Sequence, residues 1–103
     1  MSSAPVISDF AEAVIDLVDC VPPGRVVAYG DVAARVGGGG PRQVGRVMAQ
    51  LGGATAWWRV VRADGRPARG LESEALARLR SEGTPIRRGR VDMEAARWDG
   101  VRA

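Results

Sequence analysis

Four consecutive glycines at residues 37–40, followed at once by Pro41, place the sharpest constraint on this chain. Glycine is costly inside a helix and proline suits a helix's first turn, so one helix must end before this stretch and another begin after it. The flanking apolar residues have helical spacing. Val32, Ala33 and Val36 predict a short helix over 31–36. Val44, Val47, Met48 and Leu51, at i, i+3, i+4 and i+7, predict a second helix from Pro41 with all four in the core. Arg42, Gln43, Arg46 and Gln50 are left for its outer surface. Two short helices joined by a glycine connection, the second with an arginine- and glutamine-bearing face, read as a helix-turn-helix.

The rest of the chain builds around this pair. Asp9 and Glu12 have the spacing of a capping box, opening a helix whose Phe10, Val14, Leu17 and Val18 share one face. Pro22, Pro23 and Gly24 end it, and residues 25–28 read as a short extended piece. Residues 57–61 are rich in β-formers and predict a strand, followed by a turn at Ala63, Asp64 and Gly65. A further helix is predicted over 71–82, with Ala75, Leu76 and Leu79 inward and Gly83 as its stop. Residues 86–91 predict a strand pair or wing, and Trp98 is expected to pack the tail onto the body. A chain of 103 residues suits one domain with a modest core, here about 8–100. The expected fold class is α+β, mostly helical, a winged helix-turn-helix-like domain.

Charge is unevenly placed. Residues 1–20 hold four acids and no base, whereas residues 21–70 hold eight arginines against only Asp31 and Asp64. A basic middle segment suggests a polyanion footprint. Arg87, Arg88 and Arg90 read as a charged surface with weak phosphate contacts as the lesser option. The absences exclude more. The chain has no histidine, which removes Ser-His-Asp and Cys-His catalysis and the usual Cys/His zinc sites. It has no lysine either, so no Schiff base can form. Neither a metal site nor a cofactor is expected. Cys20 is the sole cysteine, which rules out an internal disulfide framework and fits a reducing compartment. No apolar run approaches the ~20 residues that span a bilayer. Residues 1–8 lack the regions of a signal peptide, so no membrane role and a cytoplasmic location are expected.

Four segments, in this order and spacing, carry a family resemblance: residues 21–33 (VPPGRVVAYGDVA), 41–48 (PRQVGRVM), 57–61 (WWRVV) and 79–83 (LRSEG). Together they resemble the DNA-binding, active-site domain of the O6-alkylguanine-DNA alkyltransferases, and most of all the non-enzymatic alkyltransferase-like proteins. The resemblance spans roughly residues 8–100. The enzymes carry Pro-Cys-His-Arg-Val where this chain reads Ala56, Trp57, Trp58, Arg59, Val60. Alkyl transfer needs a thiolate to attack the alkyl carbon and a base to take the thiol proton. Trp57 at the Cys position supplies no nucleophile and Trp58 at the His position no base. Cys20 is remote in sequence from the motif, so transfer is excluded on chemical grounds. Ala56 and Trp58 also depart from non-enzymatic relatives, which commonly keep the Pro and the His.

Binding survives that loss, and the resemblance implies how. This family reaches a modified base by flipping its nucleotide out of the duplex. Arg42 would fill the vacated stack, and Tyr29 would push on the neighbouring phosphate. The helix from Pro41 would enter the minor groove, with Gln43 and Arg46 on the contacting surface and Gly45 allowing close approach. The lesion pocket would be formed by Tyr29, Trp57, Trp58 and the loop after Gly65, which offers Arg69, with Gly70 or Arg66 as alternatives in register. Packing is the stronger reading for Trp58. Arg59 would tie the strand to Glu82. The implied partner is double-stranded DNA carrying O6-alkylguanine, bound by a monomer that is nucleoid-associated on DNA and passes the lesion to nucleotide-excision repair proteins. The alternative is a regulatory winged-helix DNA-binding module without lesion recognition. Incubation with duplex DNA bearing radiolabelled O6-methylguanine is expected to leave no label on the protein; stoichiometric labelling would contradict the reading.

Overall fold

The computed structural model describes residues 8–100. Of the N-terminal stretch read for targeting features, only Ser8 is among them. In chain order the elements are helix α1 (Asp9–Cys20), strand β1 (Val27–Ala28), helices α2 (Tyr29–Val36) and α3 (Pro41–Leu51), strand β2 (Val60–Val61), helix α4 (Glu72–Ser81), strands β3 (Ile86–Arg87) and β4 (Arg90–Val91), and the single turn α5 (Met93–Ala96). The architecture is α+β and mostly helical. Helices α2 and α3 pack as a helix-turn-helix, and the antiparallel β3–β4 hairpin forms the wing.

Local chemistry explains where the helices start. The cap of α1 is Ser8, whose Oγ accepts the Ala11 N–H at 3.1 Å. The capping box expected from Asp9 is therefore one residue out of frame, and Asp9 and Glu12 lie in the first turn, where their charge favours the positive end of the helix. The buried face of α1 is Ala11, Val14 and Val18, while Phe10 and Leu17 are only partly buried. Helix α2 begins two residues earlier than expected. Asp31 does not open it but reaches back, its Oδ2 accepting the Ala28 N–H at 2.9 Å, which makes Tyr29 the first helical residue.

The glycine run divides its work. Gly37 ends α2 in the left-handed region (φ 80°), and Gly40 stands extended before Pro41. The Gly40 N–H donates to Gln43 Oε1 at 2.9 Å, so Gln43 caps α3. Val44, Val47 and Met48 are buried, but Leu51 is 37% exposed, against its expected place in the core. Helix α3 ends there and the chain turns through a 3-10 segment at Gly52–Ala54. Gly52 takes the inward place instead: a Cβ on it would lie 3.1 Å from Met48 Cε and 3.5 Å from Trp57 Cβ.

The strand expected over 57–61 forms only at its end. Trp57–Arg59 is a 3-10 turn, closed by an Arg59 N–H bond to the Ala56 carbonyl at 3.0 Å. β-Propensity measures fit to a pleated surface rather than a backbone preference, and here the two indoles pack in different directions. Likewise the extended piece expected over 25–28 narrows to Val27–Ala28, paired in parallel with Val60–Val61. Successive residues on these strands face opposite ways. Val27 and Val60 therefore join the core of α1, α2 and α3, whereas Val26 and Val61 join a second core with Leu79, Val91 and Ala96. The tail closes the first core: Trp98 is buried, its N–H donating to the Val26 carbonyl at 2.8 Å.

Helix α4 runs slightly short of the range expected at both ends and stops in a Schellman motif, with the Thr84 N–H bonded to the Leu79 carbonyl at 3.0 Å and Gly83 at φ 78°. The wing then folds back over the turn at residues 62–66. Val91 N–H donates to the Gly65 carbonyl at 2.9 Å, and a Cβ on Gly65 (φ 89°) would run into the Val91 carbonyl. Gly37 has the same backbone strain but open space around it. Gly37→Ala is expected to cost about 1 kcal/mol, and Gly65→Ala at least about 2 kcal/mol, with Tm falling by roughly 10 °C or more. Thermal unfolding of the two variants side by side checks this.

Candidate nucleic-acid interface

A cavity of about 490 Å³ opens between α3, the Trp57–Arg59 turn and the loop that precedes α4. Its wall contains Tyr29, Gly45, Met48, Ala49, Gly53, Trp57, Ala68, Arg69, Leu71 and Glu74. The size is that of a small-molecule pocket, and the lining combines a flat indole and aliphatic groups with one phenol, one guanidinium and one carboxylate. Of the residues read from sequence as a pocket, the structure brings together Tyr29, Trp57 and Arg69. Of the three residues offered in register for this loop, Arg69 reaches the wall; Gly70 and Arg66 do not. Arg66 is engaged instead at the turn, its N–H donating to Asp64 Oδ1 at 3.0 Å.

Trp58 is not on the wall, which corrects its place in the expected pocket. Being next to Trp57 on a tight turn, it points elsewhere, into the second core with Leu79 and Val91. Its ring meets Trp57 edge-on, with centroids 5.8 Å apart and planes at 86°. The Arg59 and Arg78 guanidinium groups stand 5.5 and 4.6 Å from its centroid, a favourable cation–π arrangement. The Trp58 Nε1 is buried without a hydrogen bond of good geometry.

Arg59 fixes this turn from behind. Its Nε and Nη2 donate to the two carboxylate oxygens of Glu82 at 3.0 and 2.5 Å, and its Nη1 donates to the Val21 carbonyl at 2.9 Å. Both side chains are 14% exposed, so the pair is shielded and bidentate, the strong form of such contacts. Burial pushes the Glu82 carboxyl up, but hydrogen bonding from Arg59 and the neighbouring Trp58 indole, together with the Arg59 charge, outweighs it and holds the group below the usual range. On the other flank, Thr55 donates its hydroxyl proton to Asp19 at the end of α1.

Tyr29 sits at the N-terminus of α2, half-buried. Burial pushes its phenol up, and the Arg62 charge only partly offsets this, so Tyr29 is a neutral O–H donor at physiological pH. Arg42 is exposed in the first turn of α3, three residues before Gly45 and hence on the face that borders the cavity. Arg46 is exposed beside it. Gly45 has no heavy atom within 4 Å of where a Cβ would stand, so nothing inside the fold requires a glycine there. Gln43 spends its Oε1 on the helix cap, which leaves its NH2 for any partner. Sequence reasoning passed over Met48 and Leu71, read as core and as a helix start, and Glu74, for which no local signal exists. Cys20 is exposed at the end of α1 and away from the wall. Among the described residues no three His, Cys, Asp or Glu side chains gather as a metal site.

Comparison with known proteins gives the family of the chain. The family described as 6-O-methylguanine DNA methyltransferase, DNA binding domain, matches residues 9–84. The chain belongs to this family. Within it, the chain is an alkyltransferase-like protein. It is 35% identical over 98 residues to the DNA base-flipping protein of Escherichia coli (strain K12), covering 87% of this chain and 74% of that protein, and equally similar to the protein of that name from Shigella flexneri. The crystal structure of S. pombe Atl1 in complex with damaged DNA containing O6-carboxymethylguanine superposes with a TM-score of 0.80 at 28% identity, over 92% of this chain and 99% of that one. A second S. pombe ATL–DNA complex gives a TM-score of 0.81. In this alkyltransferase-like chain the wall position opposite Tyr29 and Arg69 is held by an indole.

The Arg59–Glu82 pair sets a pH dependence. Because the folded Glu82 is more acidic than an unfolded glutamate, its stabilisation is complete above the unfolded value, about 4.3, and is lost as the pH falls through the lower folded value. Glu82→Gln is expected to lose about 2–3 kcal/mol at neutral pH and to show a shallower further loss below about pH 4 than the wild type. Urea unfolding across pH 3–7 measures both.

Proposed function

We propose that this chain binds duplex DNA at O6-alkylguanine, turns the damaged nucleotide out of the stack into the Trp57 cavity, and transfers nothing. The observation that carries the reading is the cavity itself: it is walled by Tyr29, Trp57 and Arg69, it opens beside Arg42 and Gly45 of α3, and the chain has no histidine to activate a nucleophile there. Each wall residue has a task suited to its chemistry. The Trp57 ring offers a flat apolar surface for a purine and its alkyl group. Arg69 donates to acceptors on the alkylated edge, and the neutral Tyr29 phenol donates to the phosphate next to the flipped nucleotide without repelling it. Arg42 fills the gap left in the stack with a planar cation, and Arg46 and the Gln43 amide reach the backbone. Open space at Gly45 lets the duplex approach α3 closely. The names of the relatives support this reading, since one is a base-flipping protein and another was crystallised on O6-carboxymethylguanine DNA.

A protein that binds a lesion and leaves it unchanged serves repair by marking it. We assign this chain, acting as a monomer in the cytoplasm, to presenting the lesion to other machinery, nucleotide-excision repair proteins among them. The test is equilibrium binding to matched duplexes containing guanine or O6-methylguanine at one salt concentration. The lesion duplex is expected to bind at least about tenfold tighter, reflecting the lower cost of unstacking a damaged base. Arg42→Ala should erase most of that preference. Tyr29→Phe should weaken both duplexes while keeping the preference. A winged-helix module without lesion recognition would instead bind both duplexes equally, and Arg42→Ala would then remove only one phosphate contact, about 0.9 from the slope of log K against log salt.

A further inference from the structure

The cavity wall carries two charges, and only one of them is absorbed by the lesion reading. Arg69 comes from the loop before α4. Glu74 comes from the first turn of α4 itself. A glutamate three residues after a helix cap commonly reaches back to the cap's N–H. Here the cap is Leu71, which offers no side-chain bond in return, and Glu74 turns instead to Arg78, whose Nε donates to its Oε2 at 3.2 Å. Arg78 is in turn seated on the Trp58 ring at 4.6 Å, and Trp58 meets the cavity's Trp57 edge-on. Glu74 thus lines the cavity with its carboxylate paired to a guanidinium that is itself braced on an indole.

Resting on the lesion reading above, we infer that Glu74 makes the cavity select among O6-alkylguanines by the charge of the alkyl group, favouring neutral adducts over anionic ones. In the free protein the Glu74 side chain is 54% exposed, so water as well as Arg78 screens its charge. When a duplex covers the mouth and a base fills the space, that water leaves and the effective dielectric falls, so a second carboxylate brought into the cavity is repelled more strongly. A methyl adduct carries no charge and feels none of this. Arg69 is the same in all the proteins compared, so a change in the ratio between the two adducts reports residue 74.

The experiment compares affinities for matched duplexes carrying O6-methylguanine, O6-carboxymethylguanine or guanine, at fixed salt, for the wild type, Glu74→Gln and Glu74→Lys. Thermal unfolding verifies that each variant is folded. Relative to O6-methylguanine, binding of O6-carboxymethylguanine is expected to improve roughly three- to tenfold in Glu74→Gln and further in Glu74→Lys, with the differences shrinking as salt is raised. A ratio that stays constant across the three proteins, while the wild type still prefers both adducts to guanine, overturns the inference alone. A wild type that prefers neither adduct to guanine removes the lesion reading and this inference with it.

Discussion

The Arg59 guanidinium joins three parts of the chain that are distant in sequence. It grips both oxygens of Glu82 at the end of α4 and the Val21 carbonyl at the end of α1. The turn that carries it also carries Trp57, two residues earlier, and α4 carries Glu74 at its other end. One shielded, bidentate ion pair therefore fixes two walls of the cavity relative to each other and to the end of α1. Partial burial is what gives the pair this authority: a surface ion pair contributes little and yields to salt, whereas breaking a shielded one leaves a charge that water cannot fully recover.

Two adjacent tryptophans divide their roles. Trp57 gives the cavity a flat apolar surface, and Trp58 packs against the second core. The second indole has a cost, since its buried N–H makes only a poorly aligned contact with the Glu82 carboxylate and so recovers only part of the loss of about 1–3 kcal/mol that an unmet donor incurs. Flanking guanidinium groups from Arg59 and Arg78 offset part of it. The outcome is a site whose shape is held by ring contacts and ion pairing.

Much of this was legible in the order of the residues. The glycine run and Pro41 marked the break between α2 and α3, Val44, Val47 and Met48 marked the inner face of α3, and the 86–91 segment marked the wing. The errors have a common origin. Leu51 satisfied the helical period but lies where the helix ends, and the chain turns Gly52 inward in its place. Residues 57–61 have β-forming side chains, yet their first three form a 3-10 turn because Arg59 must reach Val21 and Glu82. Trp57 and Trp58 are indistinguishable by type, and only the turn sends one to the cavity and the other to the second core. Glu74 bears no local mark of its place on the wall, which depends on how α4 docks.

By itself the sequence determined the chemistry on offer: with no histidine and adjacent tryptophans at 57 and 58, the motif supplies neither a thiolate nor an imidazole base. It also determined the breaks between helices, because glycine and proline act on the backbone within a few residues. The tertiary structure alone decided which side chains meet. That Arg69 rather than Arg66 or Gly70 reaches the cavity, that Trp58 faces away, and that Glu74 lines the same cavity all follow from long-range packing. Local propensity carries no information about such distances, since they are set by where β1 meets β2 and where Arg59 finds Glu82.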